Sequence, residues 1–377
     1  MLSINKLSFW EKELYFKDVD FMICGAGIVG YSAALEIRAK FPDAKIVILE
    51  RGYLPTGAST KNAGFTCFGS PSEILDDLSH STESEITTLV ARRYEGLQRL
   101  LKRCGEKDID YLPLGSFELF TETDRKTYTN CIEKIDFLNQ LAFKATGIED
   151  CYSPVSVNEF PFAQTVGILR NKGEGQINTG LMMHKLHQLA VDQSIHVLFG
   201  IEIIEWESYE EHVIINSSIG EISCAKLIIA TNGLSSKILP EEDVSPARAQ
   251  VIITRPIQNL PFQGTFHYDA GYYYFRNIGN RVLLGGGRNL DMEGETTDQF
   301  GNTPSILSAL TQLLSTVILP QIPVEIEHQW SGIMGVGKTK QPIVKKISPL
   351  VTVGIRMGGM GVALGSLIGK ELADLQN

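Results

Sequence analysis

Six residues near the start of the chain have the spacing needed to hold a phosphate chain. Gly25-Ala-Gly27-Ile-Val-Gly30 reads G-x-G-x-x-G, follows the apolar run Phe21-Met-Ile-Cys24 and precedes a helical pattern. Gly25 permits a sharp turn, Gly27 lets the backbone approach a pyrophosphate at a helix N-terminus, and Gly30 lets the helix pack close to the strand. Ile46-Val-Ile-Leu-Glu50 reads as the next strand, and Glu50 stands where a carboxylate accepts hydrogen bonds from both ribose hydroxyls. That carboxylate repels a 2′-phosphate, so NAD or FAD is expected in preference to NADP. Glycine turns are common, but strand, turn, helix, strand and acid in this order distinguish the segment from an isolated one.

Three further groups of residues have chemical potential. Ala225-Lys-Leu-Ile-Ile-Ala-Thr231-Asn232-Gly233 reads as a buried strand ending in a polar turn, the kind of strand end that faces a ligand crevice. A second glycine turn, Gly358-Gly359-Met360-Gly361, feeds a helix from Val362 to Leu375, whose N-terminus is a positive dipole end able to face an anion. Tyr272-Tyr-Tyr-Phe-Arg276 alternates as a strand, placing Tyr272, Tyr274 and Arg276 on one face and Tyr273 and Phe275 on the other. Packing is the competing explanation for the tyrosines, since aromatics favour sheets. Arg288 follows three glycines at a strand end and is placed to orient an acidic group.

The seven histidines are scattered, and His184 with His187 has no acidic partner, so no metal set is expected. The six cysteines contain no C-x-x-C pair and read as reduced thiols of a cytoplasmic protein, with Cys24 and Cys224 in the core. A chain of 377 residues suggests two domains, and a net charge of −10 argues against nucleic acid and anionic membrane as partners. Met1 to Phe16 is interrupted by Lys6, Glu11, Lys12 and Glu13; it lacks the apolar core of a signal peptide and reads as a short surface helix or arm. No membrane span is expected, because no apolar run reaches the required length of about 20 residues.

The positioning elements alternate between helix and strand. Helices are expected over Pro71 to Arg103, Thr123 to Ala142, Leu181 to Ser194 and Thr303 to Leu314, and strands over Asp108 to Thr121, His196 to Glu205 and Glu211 to Ser217. From Ala247 to Gly287 the pattern becomes several strands with little helix, a separate platform for substrate.

Gly25 to Gly30 with Glu50, Gly57-Ala-Ser-Thr-Lys-Asn-Ala-Gly64, Leu227 to Gly233, Tyr272 to Arg288 and Gly358 to Gly361 occur in the order seen in the D-amino-acid oxidase family of FAD-dependent oxidoreductases, and the chain resembles that family from residue 19 to 375. The family includes glycine, sarcosine and γ-glutamylputrescine oxidases. The resemblance implies an α/β fold: a Rossmann-like FAD-binding domain with a mixed central sheet (1–80, 155–245 and 325–377), and a substrate domain built mainly on an antiparallel sheet with helices (81–154 and 246–324). It implies extended FAD, touched by Gly25, Gly27, Ile28, Gly30, Glu50 and Arg51 at its ADP end. Ser59, Lys61, Asn62 and Ala63 would lie near the pyrophosphate and ring, and Thr231, Asn232 and Gly233 would line the crevice. Gly358, Gly359, Met360 and Gly361 would face the flavin pyrimidine edge and stabilise the charge that accumulates on reduction. Tyr272, Tyr274 and Arg288 are the candidate catalytic residues, and Tyr272, Arg276, Arg288 and Met334 the candidate substrate contacts.

Three departures refine this reading. Where some members bond FAD through a histidine or a cysteine, this chain has Ser59-Thr-Lys-Asn62 and Trp330-Ser-Gly-Ile-Met-Gly-Val-Gly337, so non-covalent FAD is expected. Members that oxidise simple α-amino acids carry an arginine clamp for the α-carboxylate where this chain has Met334, and the segment looks more like the γ-glutamylputrescine oxidase subgroup. The expected reaction is hydride transfer to flavin from the carbon of a small amine or amino acid, with hydrolysis of the resulting imine. Oxidation of a 2-hydroxy acid or amino acid with an acceptor other than oxygen, and non-catalytic flavin binding, are the alternatives. The oligomeric state is not legible in the sequence.

Overall fold

The computed structural model describes residues 3–376. Its centre is a six-stranded sheet in the order Ile343–Ser348, Val351–Ile355, Lys226–Ile229, Phe21–Cys24, Ile46–Glu50, His196–Phe199, parallel throughout except for the first pair. The Phe21–Cys24 and Ile46–Glu50 strands are buried along their whole length, as strands of a parallel sheet covered on both faces must be. Their period of two sends Phe21, Ile23, Ile46 and Ile48 into one core and Met22, Cys24, Val47 and Leu49 into another. Helices Ile28–Lys40, Glu83–Cys104 and Gly361–Asp374 contribute to the first core. A three-stranded antiparallel sheet, Ile203–Ser208, Val213–Ser217 and Gly220–Cys224, contributes to the second.

The second large sheet has eight strands, in the order Ile326–Val336, Ser245–Thr254, Arg281–Gly286, Tyr273–Ile278, Thr265–Tyr268, Ser116–Thr121, Thr165–Asn171, Tyr152–Val155. All its pairs are antiparallel except that of Thr265–Tyr268 with Ser116–Thr121. One face rests on a phenylalanine cluster in which Phe266 and Phe275 stack at 4.8 Å. The two sheets fit the α/β class with a mixed central sheet and a second, mainly antiparallel one.

Sequence and structure differ in detail. Thr165–Asn171 and Ile326–Val336 fall inside the segments expected to bind the dinucleotide, yet both pair within the eight-stranded sheet. The helix expected over Pro71 to Arg103 is two helices, Pro71–Asp77 and Glu83–Cys104, because Thr82 and Glu85 form a capping box that starts the second. Only Ser116–Thr121 of the expected strand region 108–121 is a named strand, and Lys107–Ile109 is a helical turn. Phe9–Tyr15 forms the surface helix expected near the N-terminus. Among the described residues no helix is long and apolar enough to cross a membrane.

Candidate active site

A cavity of about 990 Å³ runs from the strand ends of the six-stranded sheet to the eight-stranded sheet. At its first end Gly25 turns the chain at φ +106°, and a side chain on Gly30 would collide with the Gly25 carbonyl. Gly30 is thus a packing glycine outside the cavity lining, whereas Gly25, Gly27 and Ile28 line it. The Ile28–Lys40 helix starts there with no side-chain cap from Gly27. Ser59 Oγ accepts the Ile28 amide at 3.0 Å. Glu50 is buried, accepts the amides of Ala26 at 3.1 Å and Gly52 at 3.0 Å, and lines the cavity beside Arg51. A glycine-lined helix start with its positive dipole end on the cavity, and a carboxylate one strand away, suit a pyrophosphate and a ribose diol.

The middle of the cavity is built by the 57–64 loop and the C-terminal turn. Lys61, Asn62 and Ala63 line it. The Asn62 side chain is also a brace, donating to Ser59 O at 2.9 Å and accepting the Gly64 amide at 2.8 Å. Trp330 donates to Lys61 O at 3.0 Å, tying the loop to the second sheet. Opposite, Thr231 and Asn232 line the cavity, and Asn232 accepts the Met357 amide at 3.0 Å. Gly233 does not line it; its hydrogen side lies against the Met334 carbonyl, where a side chain would collide. Gly358, at φ +56°, begins a turn through Gly359, Met360 and Gly361 that lines the cavity and starts a second helix without a side-chain cap. Two glycine-lined helix starts and a long cleft between them suit an extended FAD.

On the eight-stranded sheet the expected alternation holds for Tyr274, which lines the cavity, and for Tyr273 and Phe275, which enter the phenylalanine core. The Tyr274 ring occupies the space that a side chain on Gly285 would need. Tyr272 precedes the strand and is 47% exposed, so it stands at the cavity rim. Arg288 and Met334 also line the cavity. Arg276 does not: its buried guanidinium donates through Nη1 to Ala63 O at 3.0 Å, Gly64 O at 2.9 Å and Ile177 O at 2.8 Å. The side chain expected to touch substrate is instead a strut under the 57–64 loop, and burial lowers its pKa to about 10.

The lining also includes residues that the sequence did not single out: Phe65, Cys67, Glu73, Arg93 and His267, with the exposed Lys340 where this chamber meets solvent. His267 meets Phe65 edge-on at 5.2 Å. Burial drives His267 down to about 4 and Tyr274 up to about 12, so both are neutral near pH 7. Burial also raises the Cys67 thiol well above its ordinary range. Glu73 is opposed by burial, but Arg93 and Lys340 outweigh it and hold the carboxyl below its usual value. Among the described residues no cluster of histidine, cysteine and carboxylate side chains suits a metal.

A glycine turn and a buried carboxylate on a mixed sheet, opening into a chamber on a second sheet, suit an enzyme that binds a dinucleotide in one part and substrate in the other. Residues 20–375 match the FAD dependent oxidoreductase (DAO) family, and the chain belongs to it. The protein is therefore an FAD-dependent enzyme. It is 25% identical over 378 residues to a probable oxidoreductase OrdL from Rhizobium meliloti, covering 95% of this chain and 83% of that one. Its fold is similar to glycine oxidase from Geobacillus kaustophilus, with a TM-score of 0.76, 19% identity and 94% of each chain covered. Iminodiacetate oxidase from Chelativorans sp. BNC1 gives a TM-score of 0.75, again with 19% identity and 94% of each chain covered.

Proposed function

We propose that the enzyme oxidises a C–N bond of a small amine or amino acid to an imine, which water hydrolyses to a carbonyl compound. The observation that carries this reading is the continuity of the cavity from the Gly27 and Glu50 end to the Tyr274 and Met334 end. When bound, FAD supplies the hydride acceptor. The chain supplies binding, orientation and exclusion of water. Glu50 and the Ile28–Lys40 helix start would hold the ADP half, and the turn at Gly358 to Gly361 would offer the Gly361–Asp374 helix start to the ring. Phe65, His267 and Tyr274 form a neutral, largely aromatic wall of the chamber that would face the substrate, and Tyr272 and Arg288 would border its entrance. The names of glycine oxidase and iminodiacetate oxidase, two proteins of similar fold, support C–N chemistry.

Anaerobic mixing with a panel of amines, amino acids and 2-hydroxy acids tests this directly. Bleaching of the flavin by nitrogen compounds is expected. Bleaching by hydroxy acids alone selects the other oxidation, and no bleaching by any member selects a binding protein.

A further inference from the structure

The inner chamber contains a cation whose hydrogen-bonding capacity the fold does not use up. Arg93 is 2% exposed, on the Glu83–Cys104 helix, and its Nη1 donates to Phe68 O at 3.1 Å and to Glu73 Oε1 at 3.4 Å. Its Nε is buried and has no partner. Leaving a buried charged donor unpaired is costly, so a missing acceptor is indicated, more strongly here than at the half-buried Arg288, whose Nε also lacks a partner. The arginine is also held firmly in place. One helical turn further on, Gly96 packs so tightly on the Ala363 carbonyl that a side chain would collide, which sets the helix that carries Arg93 against the first turn of the Gly361–Asp374 helix.

The neighbouring charges indicate the acceptor. Lys340 Nζ lies 2.6 Å from Asp77 and 3.3 Å from Glu73, so the lysine is engaged by two carboxylates. Arg93 keeps only a share of Glu73, through one nitrogen and at long range. Across the chamber His267 Nε2 is likewise buried without a partner. An arginine edge pairs with both oxygens of a carboxylate, and a neutral imidazole in its Nε2–H tautomer adds a third donor.

We propose that the Arg93 Nε edge, with His267, is a carboxylate-binding subsite, and that the substrate is an amine bearing a carboxylate received there, on a different wall from Met334. This rests on the C–N oxidation reading for its role in turnover. It replaces the absent clamp at position 334 with one contributed by the long helix.

The test uses oxidised holoenzyme and three probes, butanoate, butanamide and butylamine, with the visible flavin spectrum as readout. Butanoate is expected to perturb the spectrum saturably, and the amide and amine to do so at least about 30-fold more weakly, as loss of a charged pair implies. Arg93→Gln is expected to remove most of the butanoate response while retaining flavin, and Arg93→Lys to restore part of it. An equal response to acid and amide overturns the proposal. So does full butanoate affinity in flavin-replete Arg93→Gln, or loss of the response in Arg288→Ala with Arg93 intact. If the Arg93 variants do not fold, the acid–amide comparison and Arg288→Ala still decide. Flavin bleaching by amines without any butanoate binding sinks the subsite and leaves C–N oxidation standing. Butanoate binding that depends on Arg93, with no bleaching by any nitrogen compound, sinks the oxidation reading and the subsite's role as a substrate anchor.

Discussion

The Ser59 hydroxyl stands where a side chain on Gly27 would go: a Cβ there would lie 2.9 Å from Oγ, and the same oxygen accepts the Ile28 amide at 3.0 Å. The glycine turn and the loop after the second strand are thus fitted to each other at the start of the Ile28–Lys40 helix. Gly27→Val is expected to displace Ser59, obstruct the pyrophosphate path and lose FAD while the two sheets remain folded. Flavin absorbance per polypeptide, read beside circular dichroism, checks it; a variant with full flavin content would show that the cofactor lies elsewhere.

Arg276 offers a contrasting test, because its three carbonyl acceptors come from Ala63, Gly64 and Ile177, all outside its own sheet. Arg276→Met should destabilise the protein by about 2–4 kcal/mol, since buried acceptors lose their donor. Flavin retention should fall with it, because the 57–64 loop loses its support. Urea unfolding and flavin release by dilution measure both effects. Unchanged stability with a raised KM would instead return Arg276 to substrate binding.

FAD is expected to leave the protein on acid or heat treatment, with no flavin fluorescence on the denatured chain. Cys67 and His267 do line the cavity, so residue types known to bond flavin are present. Burial keeps the Cys67 thiol protonated, and the thiolate is the nucleophile, so this cysteine is a poor candidate for a flavin link. Its Sγ instead contacts Met360 Sδ at 3.8 Å.

The dinucleotide half was legible because its constraints are local: the glycine spacing, the flanking apolar runs and Glu50 lie within one short segment. Strand alternation also put Tyr274 on the correct face. It could not show that the carbonyls of a distant loop cover Arg276, nor that Gly233 meets the Met334 backbone. The inner chamber was illegible because Glu73, Arg93, His267 and Lys340 come from four separate segments, joined only by packing. One signal was present. Arg93 falls in the buried stripe of Ile86, Leu89, Val90 and Leu97, where a charge has to find a partner.

Two buried carboxyls give a pH signature. Glu174 accepts the amides of Phe68 at 2.7 Å and Gly69 at 3.1 Å and the Ser116 hydroxyl, while Glu118 accepts from Ser70 and Ser72. Burial pushes both up to about 7, outweighing those hydrogen bonds. An unfolded glutamate titrates near 4.3, so the fold favours the protonated form. Their stabilising contribution is complete below about pH 4 and is lost as pH rises through 7, on the order of 4 kcal/mol per group at most. The urea midpoint should fall between pH 5 and 8. Glu174→Gln, an isostere of the protonated acid, should flatten that fall, and an unaltered profile in the variant would remove Glu174 as its cause.

Met334 bears on selectivity. It pairs with Ala247 between the two outermost strands at one edge of the sheet and lines the cavity, at the position where the family resemblance implies an arginine clamp for an α-carboxylate. Without a bidentate charged contact there, glycine and D-alanine should reduce the flavin slowly compared with N-substituted or longer amino compounds. Loss of such a contact costs roughly 2–5 kcal/mol, which is several tens-fold to a few thousand-fold in binding. Two other arginines line the cavity near substrate positions, Arg288 at the rim and Arg93 within. They predict different outcomes in anaerobic stopped-flow reduction. Rapid reduction by glycine that disappears in Arg288→Ala places the clamp at the rim and contradicts the selectivity argued from Met334. Slow reduction by glycine, with faster reduction by a longer amine that carries a carboxylate, fits an anchor at Arg93.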